Sequence, residues 1–166
     1  KVARMKPDFV VTGGDLVFDA AEVDWKRTEL QYDLLGKTLA PLKMPQYHVI
    51  GNHDLFGVSA KSGVRPEEAH FGKKVFEERM GPRYRAFEFR GWHFVLLDSI
   101  GTKGGRDFVG EVDGEQIEWL RGEMARRRPR GRLIVVTHVP LVSGVLQVVA
   151  DPWKSAETYL VKNARE

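Results

Sequence analysis

Short apolar segments alternate with longer amphipathic ones along this chain, and the alternation predicts an α/β fold with a mixed sheet. Strands are expected at "DFVVTGGD" (8–15), "QYHVIGN" (46–52) and "RLIVVTHVP" (132–140). The apolar run of the third is typical of a strand that is covered on both faces. Between them, "YRAFEFRGWHFVLLD" (84–98) alternates and breaks at an Arg-Gly pair, which predicts a β-hairpin.

Three helices are predicted between these strands. The first covers residues 23–39 and is closed by Pro41, and the second covers residues 66–80 with a proline in its first turn. The third opens at Asp113, with Gln116 placed as in a capping box. The glycine-rich segment 101–111 is expected to be a long loop.

The composition is that of a single globular domain spanning residues 1–166, with 42% hydrophobic and 30% charged residues. Because the chain has no cysteine, thiolate zinc sites and cysteine nucleophiles are excluded. A metal would have to be held by His, Asp, Glu or Asn side chains, which favours Mn, Fe, Zn or Mg. No run is long and apolar enough to cross a membrane, and the compartment and the oligomeric state stay open.

The net charge of +3 conceals one basic segment, residues 121–132, which holds six arginines. Such a segment could bind a nucleic acid or an acidic partner. It could equally be a helix C-terminus, where cations complement the helix dipole, followed by a solvated turn. No aromatic residues interleave with the arginines as they do in a stacking surface, and the pattern therefore favours the helix end over nucleic-acid binding.

Each of the three predicted apolar strands ends in side chains that can bind metals. Asp15 follows the first strand, Asn52, His53 and Asp54 follow the second, and His138 follows the third. If the strands are parallel neighbours, these side chains meet at one edge of the sheet, where α/β folds form their sites. The glycines at 13, 14 and 51 would let the backbone turn sharply beside a ligand.

Each of these residues also has a purely structural interpretation. Asp15 could be a turn residue or a helix N-cap, and His138 could be a satisfied histidine at a strand end. Asn52 and Asp54 could form an Asx turn with His53 exposed between them. Because the same placement occurs after three strands, the set as a whole favours function.

Four other polar residues are assigned structural roles. His48 and His93 alternate within predicted strands, and His70 is placed on an exposed helix. Asp98 follows an apolar strand in "LLDS", where an Asp-Ser turn predicts a carboxylate that bonds the loop, rather than a metal ligand.

Three motifs carry a resemblance to the calcineurin-like metallophosphoesterases. They are "GGDL" at 13–16, "GNHD" at 51–54 and "THVP" at 137–140, and their order and spacing match that family. "HFVLLDS" and "GEQIEWL" also resemble its bacterial branch, which includes class III cyclic-nucleotide phosphodiesterases. The resemblance covers most of the chain and implies an α-β-β-α sandwich.

The resemblance implies two divalent metal ions, Mn, Fe or Zn, that activate water and grip a phosphate ester. By resemblance, Asp15 bridges both ions, and Asn52 and His138 bind the second. His53 resembles the residue that binds a phosphoryl oxygen or protonates the leaving group. Asp54 resembles the carboxylate that orients this histidine and supports its cationic form.

Two family motifs, an early Asp-x-His and a late Gly-His-x-His, are missing from this chain. We therefore expect a domain truncated at both ends that binds one metal ion or none by itself and has little or no activity. The parent protein would hydrolyse phosphomonoesters or phosphodiesters by attack of metal-bound hydroxide, with specificity set by the loops at 56–66 and 101–110. The alternative is a non-catalytic binding or scaffold domain that keeps the fold.

Overall fold

The strands of the protein form three small sheets with both parallel and antiparallel pairing. The structure, a computed structural model, describes residues 1–126, 131–143 and 158–165. The helices are α1 (Val2–Met5), α2 (Trp25–Leu39), α3 (Lys74–Met80) and α4 (Gly114–Arg126). The strands are β1 (Val10–Thr12), β2 (Gln46–His48), β3 (Arg85–Phe89), β4 (Trp92–Leu96), β5 (Ile100–Lys103), β6 (Arg106–Gly110) and β7 (Arg132–Val136).

The pairing confirms an α/β fold with a mixed sheet. β1 runs parallel to β2, and β4 lies between antiparallel β3 and parallel β7. β5 and β6 form a separate antiparallel pair. The condition that the three strands leading to the candidate site are parallel neighbours holds for β1 and β2 but not for β7, which pairs with β4.

Aromatic side chains join the β1–β2 pair to the hairpin of β3 and β4. The ring of Tyr47 stacks on Phe87 with centroids 3.8 Å apart, and Phe87 stacks on Phe94 at 4.8 Å. Phe9 meets both phenylalanines edge to face at 5.2 Å. Such pairs contribute about 0.5–1.5 kcal/mol each beyond the area they bury, so this stack helps to fix one strand group against the other.

Two of the three predicted helices are confirmed, together with their N-terminal caps. The carboxylate of Asp24 accepts a hydrogen bond from the backbone N–H of Arg27 at the start of α2. Asp113 accepts one from the backbone N–H of Gln116 at 2.9 Å, as the capping pattern predicts. The predicted hairpin is confirmed as well, with its turn at Arg90 and Gly91.

The helix predicted over residues 66–80 is wrong in its first half, because α3 begins only at Lys74. Phe56 and Gly72 exchange two backbone hydrogen bonds of 2.8 and 2.9 Å, and this long-range bridge holds the preceding segment in turns. His70 therefore does not lie on a helix. Its ring stacks on Trp25 with centroids 3.9 Å apart.

The segment predicted to be a long glycine-rich loop, 101–111, is instead largely a β-hairpin formed by β5 and β6. Gly104 and Gly105 supply its turn, with φ of 54° and 80°. Two adjacent residues with positive φ are typical of the two-residue turns that join the strands of a β-hairpin.

One face of β7 is uncovered among the described residues, which corrects the expectation of a strand buried on both faces. Leu133 is 38% exposed and Val135 is 40% exposed. These two side chains are two residues apart and therefore lie on the same face of the strand. β7 is also the edge of the described sheet, next to β4.

The basic segment is partly described. Arg121 and Arg126 form ion pairs with Glu118 and Glu123 on the exposed side of α4, as expected of a helix end. Residues 127–130, which include three of its arginines, lie outside the described residues. Over the ranges that the structure covers, there is no helix with the length and hydropathy that spanning a membrane would require.

The structural roles assigned to two histidines are confirmed. His48 is buried and bonds the hydroxyl of Thr12 at 2.9 Å, while burial, with a smaller contribution from Arg85, lowers the pKa of His48. His93 is buried too, with Nδ1 2.6 Å from a carboxylate oxygen of Glu88.

Candidate functional site

The segments that follow β1, β2 and β7 meet at one point, although the strands belong to two sheets. His138 Nε2 lies 3.1 Å from Asn52 Oδ1 and 3.4 Å from Asp15 Oδ1. Asp15 Oδ1 also accepts a hydrogen bond from the backbone N–H of His53 at 3.1 Å. The convergence expected from the sequence is therefore present, and it is produced by packing between strand groups.

The ring of His138 is oriented by the backbone. Its Nδ1 lies 2.9 Å from the carbonyl oxygen of Gly13, and a carbonyl can only accept, so Nδ1 carries the proton. In a neutral imidazole, Nε2 then presents a lone pair to two oxygen acceptors, Asn52 Oδ1 and Asp15 Oδ1. Such an arrangement is satisfied by a cation between the three atoms, by a second proton on the ring, or by an Asn52 amide turned so that its nitrogen faces the ring.

The two distances from His138 Nε2 to the other donors are compatible with a divalent ion. Two ligands bound at about 2.1 Å lie about 3.0–3.4 Å apart at octahedral or tetrahedral angles. The distances of 3.1 and 3.4 Å from Nε2 fall in this range. Within the described ranges, no group of three His, Cys, Asp or Glu side chains is placed to hold a metal; the present set has only two of these and completes itself with an amide oxygen.

Two glycines make room for this arrangement. A Cβ on Gly14 would lie 2.4 Å from His138 Nδ1, and a Cβ on Gly51 would lie 2.3 Å from both the backbone nitrogen and Oδ1 of Asp15. Gly14 also has φ of 96°, which disfavours other residues. By contrast, a Cβ on Gly13 would meet no atom within 4 Å. Gly14 thus has the turn conformation that the sequence predicts, whereas Gly51 is extended, with φ of −112°, and is required by close packing.

Asp54 is placed differently from what the resemblance implies. Its side chain is fully buried, and its Oδ1 accepts hydrogen bonds from the backbone N–H groups of Leu16 at 2.7 Å and Val17 at 3.1 Å. Its Oδ2 accepts one from Gly51 at 2.8 Å. All these partners are backbone amides, and none is the ring of His53.

The electrostatics of Asp54 follow from this environment. Burial raises the pKa of Asp54 to about 6, although the hydrogen bonds from Gly51, Val17 and Leu16 act in the opposite direction. The negative charge of Asp15 adds a smaller increase to this pKa. The carboxylate is thus a buried charge stabilised by three amides, which is the arrangement of a residue that holds a loop.

His53 lies beside the donor set, and one nitrogen of its ring lacks a hydrogen bond to the described residues. Its Nδ1 is buried and has no hydrogen-bond partner among the described residues. Its backbone carbonyl accepts a hydrogen bond from Ala20 at 2.8 Å, so the main chain is held. The side chain lines a cleft, where the free ring is available to a ligand.

Two supporting residues were not predicted from the sequence. The hydroxyl of Tyr32, buried on α2, donates to the carbonyl of Asp54 at 2.7 Å. The hydroxyl of Ser99 accepts a hydrogen bond from the backbone N–H of Val139 at 2.8 Å and so supports the segment after β7. For Ser99, the position after an apolar strand was a sequence signal. For Tyr32 there was none, because a buried tyrosine on a helix is usually a core residue.

Two clefts open from the donor set and meet at Asn52. Their volumes are about 420 Å³ and about 450 Å³, within the roughly 300–1,000 Å³ of small-molecule sites. The described residues of the first cleft are Asn52, Phe108, His138, Val139, Pro140, Ser143, Thr158 and Tyr159. Those of the second are Asp19, Ala21, Glu22, Asn52, His53, Val58, Ser59, Asp107, Phe108 and Thr158.

The carboxylate of Asp98 bonds the loop that follows it, as expected. Its Oδ1 accepts a hydrogen bond from the backbone N–H of Ile100 at 3.0 Å. Its Oδ2 lies 2.6 Å from Lys73 Nζ and 2.9 Å from Arg83 Nη1, so the fully buried side chain is also the centre of an ion-pair network. This network is separate from the donor set.

Comparison with known proteins gives two matches. The model of the family described as calcineurin-like phosphoesterase matches residues 1–158. A cAMP/cGMP dual specificity phosphodiesterase of Mycobacterium tuberculosis is 26% identical over 141 residues, which cover 84% of this chain and 39% of that protein. The chain thus spans well under half the length of this curated relative.

Proposed function

This chain belongs to the calcineurin-like phosphoesterase family, and we propose that it contributes to the active site of a metal-dependent hydrolase of phosphate esters. The observation that carries the proposal is the convergence of Asp15 Oδ1, Asn52 Oδ1 and His138 Nε2 on one point, beside a histidine whose ring is free. A structural histidine at a strand end would not need two further side-chain oxygens facing its second ring nitrogen.

The three converging side chains would hold one divalent ion, Mn, Fe or Zn, and Asp15 is the ligand that a second ion would share. Bound ions of this kind neutralise phosphate charge and supply a nucleophile from water at neutral pH. The protein residues provide the orientation. Gly13 fixes the ring of His138 through its carbonyl, and the backbone N–H of His53 holds the Asp15 carboxylate.

In this proposal His53 contacts the ester. Its ring lines the cleft next to Asn52, where it can donate a hydrogen bond to a phosphoryl oxygen or a proton to the departing oxygen. Asp54 contributes indirectly, since its hydrogen bonds to Leu16 and Gly51 lock together the two segments that carry Asp15 and His53. This role for Asp54 replaces the orientation of the imidazole that the resemblance implies.

Both phosphomonoesters and phosphodiesters are candidate substrates. The phosphodiesterase of M. tuberculosis supports a diester, and a cyclic nucleotide is one such diester. Its sequence identity of 26% over part of its length supports the reaction class more strongly than the choice of ester.

The proposal is tested on the natural full-length protein with Mn²⁺ and bis(4-nitrophenyl) phosphate, with 4-nitrophenyl phosphate as the monoester. We expect metal-dependent turnover that His53→Ala lowers about 10²- to 10⁴-fold. Asn52→Ala and His138→Ala should weaken Mn²⁺ binding, measured by the electron paramagnetic resonance of free Mn²⁺. His70→Ala is the matched control, because that ring stacks on Trp25 and lines neither of the two clefts.

The outcomes separate the proposal from its alternative. Absence of Mn²⁺-dependent turnover, or turnover that His53→Ala leaves unchanged, would reject a hydrolase at this site. A protein that binds the phosphate ester but does not hydrolyse it would favour a non-catalytic binding domain.

A further inference from the structure

We infer that Phe108 contacts the organic group of the ester bound at the candidate site, and that Arg106 is the positioning residue that holds Phe108 there. The inference rests on the proposed function and names the substrates it favours: esters with a flat, apolar or aromatic group and without further negative charge. It is carried by the contacts of the β5–β6 hairpin, which lie outside the three motifs at the metal site.

Phe108 lies beside the space that the organic group of the ester would fill. It lines both clefts that open from Asn52, one beside His138 and the other beside His53. Its ring is half-buried and packs against the main hydrophobic core, which includes Ile100 and Val139. The same side chain therefore contacts the core and lines both clefts.

Arg106 attaches this hairpin to the segment that follows the 51–54 motif. Its guanidinium donates to the carbonyl oxygens of Gly57 at 3.0 Å and Val64 at 2.7 Å. The backbone N–H of Asp107 adds a hydrogen bond to the carbonyl of Val58 at 3.1 Å. Arg106 thus holds both ends of the 57–64 segment through charge-assisted hydrogen bonds to two carbonyls that are seven residues apart.

These contacts place the cleft wall in a fixed relation to His53. The 57–64 segment is itself tied to the site, since Gly57 donates to the carbonyl of Ala20, and Ala20 donates to the carbonyl of His53. Arg106 thereby connects the main chain next to His53 with the strand that carries Phe108. A positioned aromatic ring binds a flat group without first losing conformational freedom, which is the advantage of preorganisation.

The charges in the second cleft define what the ring favours. Asp19, Glu22 and Asp107 line this cleft, and Lys61 pairs with Glu22 at 2.8 Å. The remaining carboxylates repel a substrate that carries additional phosphates beyond the one being hydrolysed. An uncharged aromatic or heteroaromatic group suits both the ring and the acidic wall.

The test compares two ligands that differ only in the organic group, phenylphosphonate and methylphosphonate. Binding to the Mn²⁺-loaded full-length protein is measured by calorimetry. Wild type should prefer phenylphosphonate. Phe108→Ala should raise the Kd of phenylphosphonate about two- to tenfold, which is the effect of losing one aromatic pair. It should change the Kd of methylphosphonate little. Phe108→Trp should retain the preference, and Phe18→Ala is the control, because that phenylalanine is 90% exposed and lines neither cleft.

The positioning role has its own readout. Arg106→Ala should reduce the preference for phenylphosphonate while leaving Mn²⁺ affinity unchanged, and Arg106→Lys should restore part of it. Retention of the preference in a folded Arg106→Ala protein would show that Arg106 supports only the fold. If Arg106→Ala does not fold, the Lys variant and Phe108→Ala still decide the question.

The remaining outcomes distinguish this inference from the proposed function. Equal effects of Phe108→Ala on the two ligands, or no wild-type preference, would overturn the inference even if the enzyme is active. If no ester is hydrolysed, the proposed function fails, yet a preference for phenylphosphonate that depends on Phe108 would still support the binding role.

Discussion

Asp54 Oδ1 accepts a hydrogen bond of 2.7 Å from the backbone N–H of Leu16, two parts of the chain that are 38 residues apart. The reciprocal contact also exists, because Asp15 Oδ1 accepts a hydrogen bond from the backbone N–H of His53. Each motif thus supplies a carboxylate that accepts a hydrogen bond from the main chain of the other. The exchange explains how a short segment after β1 and another after β2 keep a fixed geometry at the site.

Asp54→Asn should therefore act first on stability. The amide cannot accept hydrogen bonds at both of its ends, so one of the N–H groups of Leu16, Val17 and Gly51 loses its partner in the interior. We expect a loss of about 1–3 kcal/mol in the free energy of unfolding, measured by urea denaturation at neutral pH in the presence of a chelator.

His53→Ala is the comparison for this variant. Because His53 Nδ1 has no hydrogen-bond partner in the described part of the chain, His53→Ala should cost less stability than Asp54→Asn, while it should cost more activity. If Asp54→Asn instead keeps wild-type stability and loses activity as His53→Ala does, the carboxylate acts by orienting the imidazole.

The glycines beside the donor set predict a steric effect. In Gly14→Ala the new Cβ would lie 2.4 Å from His138 Nδ1, and in Gly51→Ala it would lie 2.3 Å from the backbone nitrogen of Asp15. Because either contact forces the ligands apart, we expect Mn²⁺ affinity to fall at least about tenfold and stability to fall by about 1–3 kcal/mol.

Gly13→Ala separates this steric effect from the general cost of changing a glycine. A Cβ at this position meets no atom within 4 Å, so its loss of stability should be clearly smaller. Equal losses of stability in all three variants would argue against the steric explanation.

Much of this architecture could be predicted from local sequence. The cap of α4, the hairpin of β3 and β4, and the class of fold follow from patterns within a few residues. The five candidate site residues also follow from local placement after apolar strands. What local patterns did not predict is how those strands meet, because β7 pairs with β4 through contacts formed only in the folded chain.

The errors have physical causes of the same kind. The first half of the predicted helix at 66–80 is lost to the bridge between Phe56 and Gly72, which no local signal reveals. The β5–β6 hairpin did have a local signal, the Gly104-Gly105 turn, but the other glycines of the segment obscured it. The binding mode of Asp54 was predicted from resemblance, and three backbone amides outcompete a neighbouring imidazole for a carboxylate in the interior.

The ion-pair network around Asp98 predicts a large structural effect away from the site. Asp98 is fully buried, and it neutralises Lys73 at 2.6 Å and Arg83 at 2.9 Å. Asp98→Ala removes the carboxylate from Lys73, which keeps the carbonyl of Ile100. It also removes the acceptor of the Ile100 N–H, while Arg83 keeps Asp113. We expect a loss of about 1–3 kcal/mol in the free energy of unfolding.

An exposed pair serves as the control for this network. Lys61 and Glu22 also form an ion pair, but their side chains are 76% and 42% exposed. Lys61→Ala should therefore change the free energy of unfolding much less than Asp98→Ala does in urea denaturation. A loss for Asp98→Ala as small as that for Lys61→Ala would show that the network contributes little to stability.

The pairing of Asp113 with Arg83 predicts a dependence of stability on pH. Burial alone would raise the pKa of Asp113, but hydrogen bonds from Arg83 and from the backbone of Gln116 outweigh it, and the pKa lies below its ordinary value of 3.8. A carboxyl whose pKa is lower in the folded state stabilises the fold above the unfolded pKa. That stabilisation is lost as the pH falls below about 4 and the group becomes protonated in the folded protein.

Urea denaturation of wild type and Asp113→Asn between pH 3 and pH 7 measures this contribution, because the other carboxyl groups are common to both proteins. The advantage of wild type should be constant above about pH 5 and should shrink below about pH 4. In an Arg83→Gln background, the difference between Asp and Asn at position 113 should lose most of this dependence, since the ion pair is already removed. An advantage that grows as the pH falls would contradict a lowered pKa.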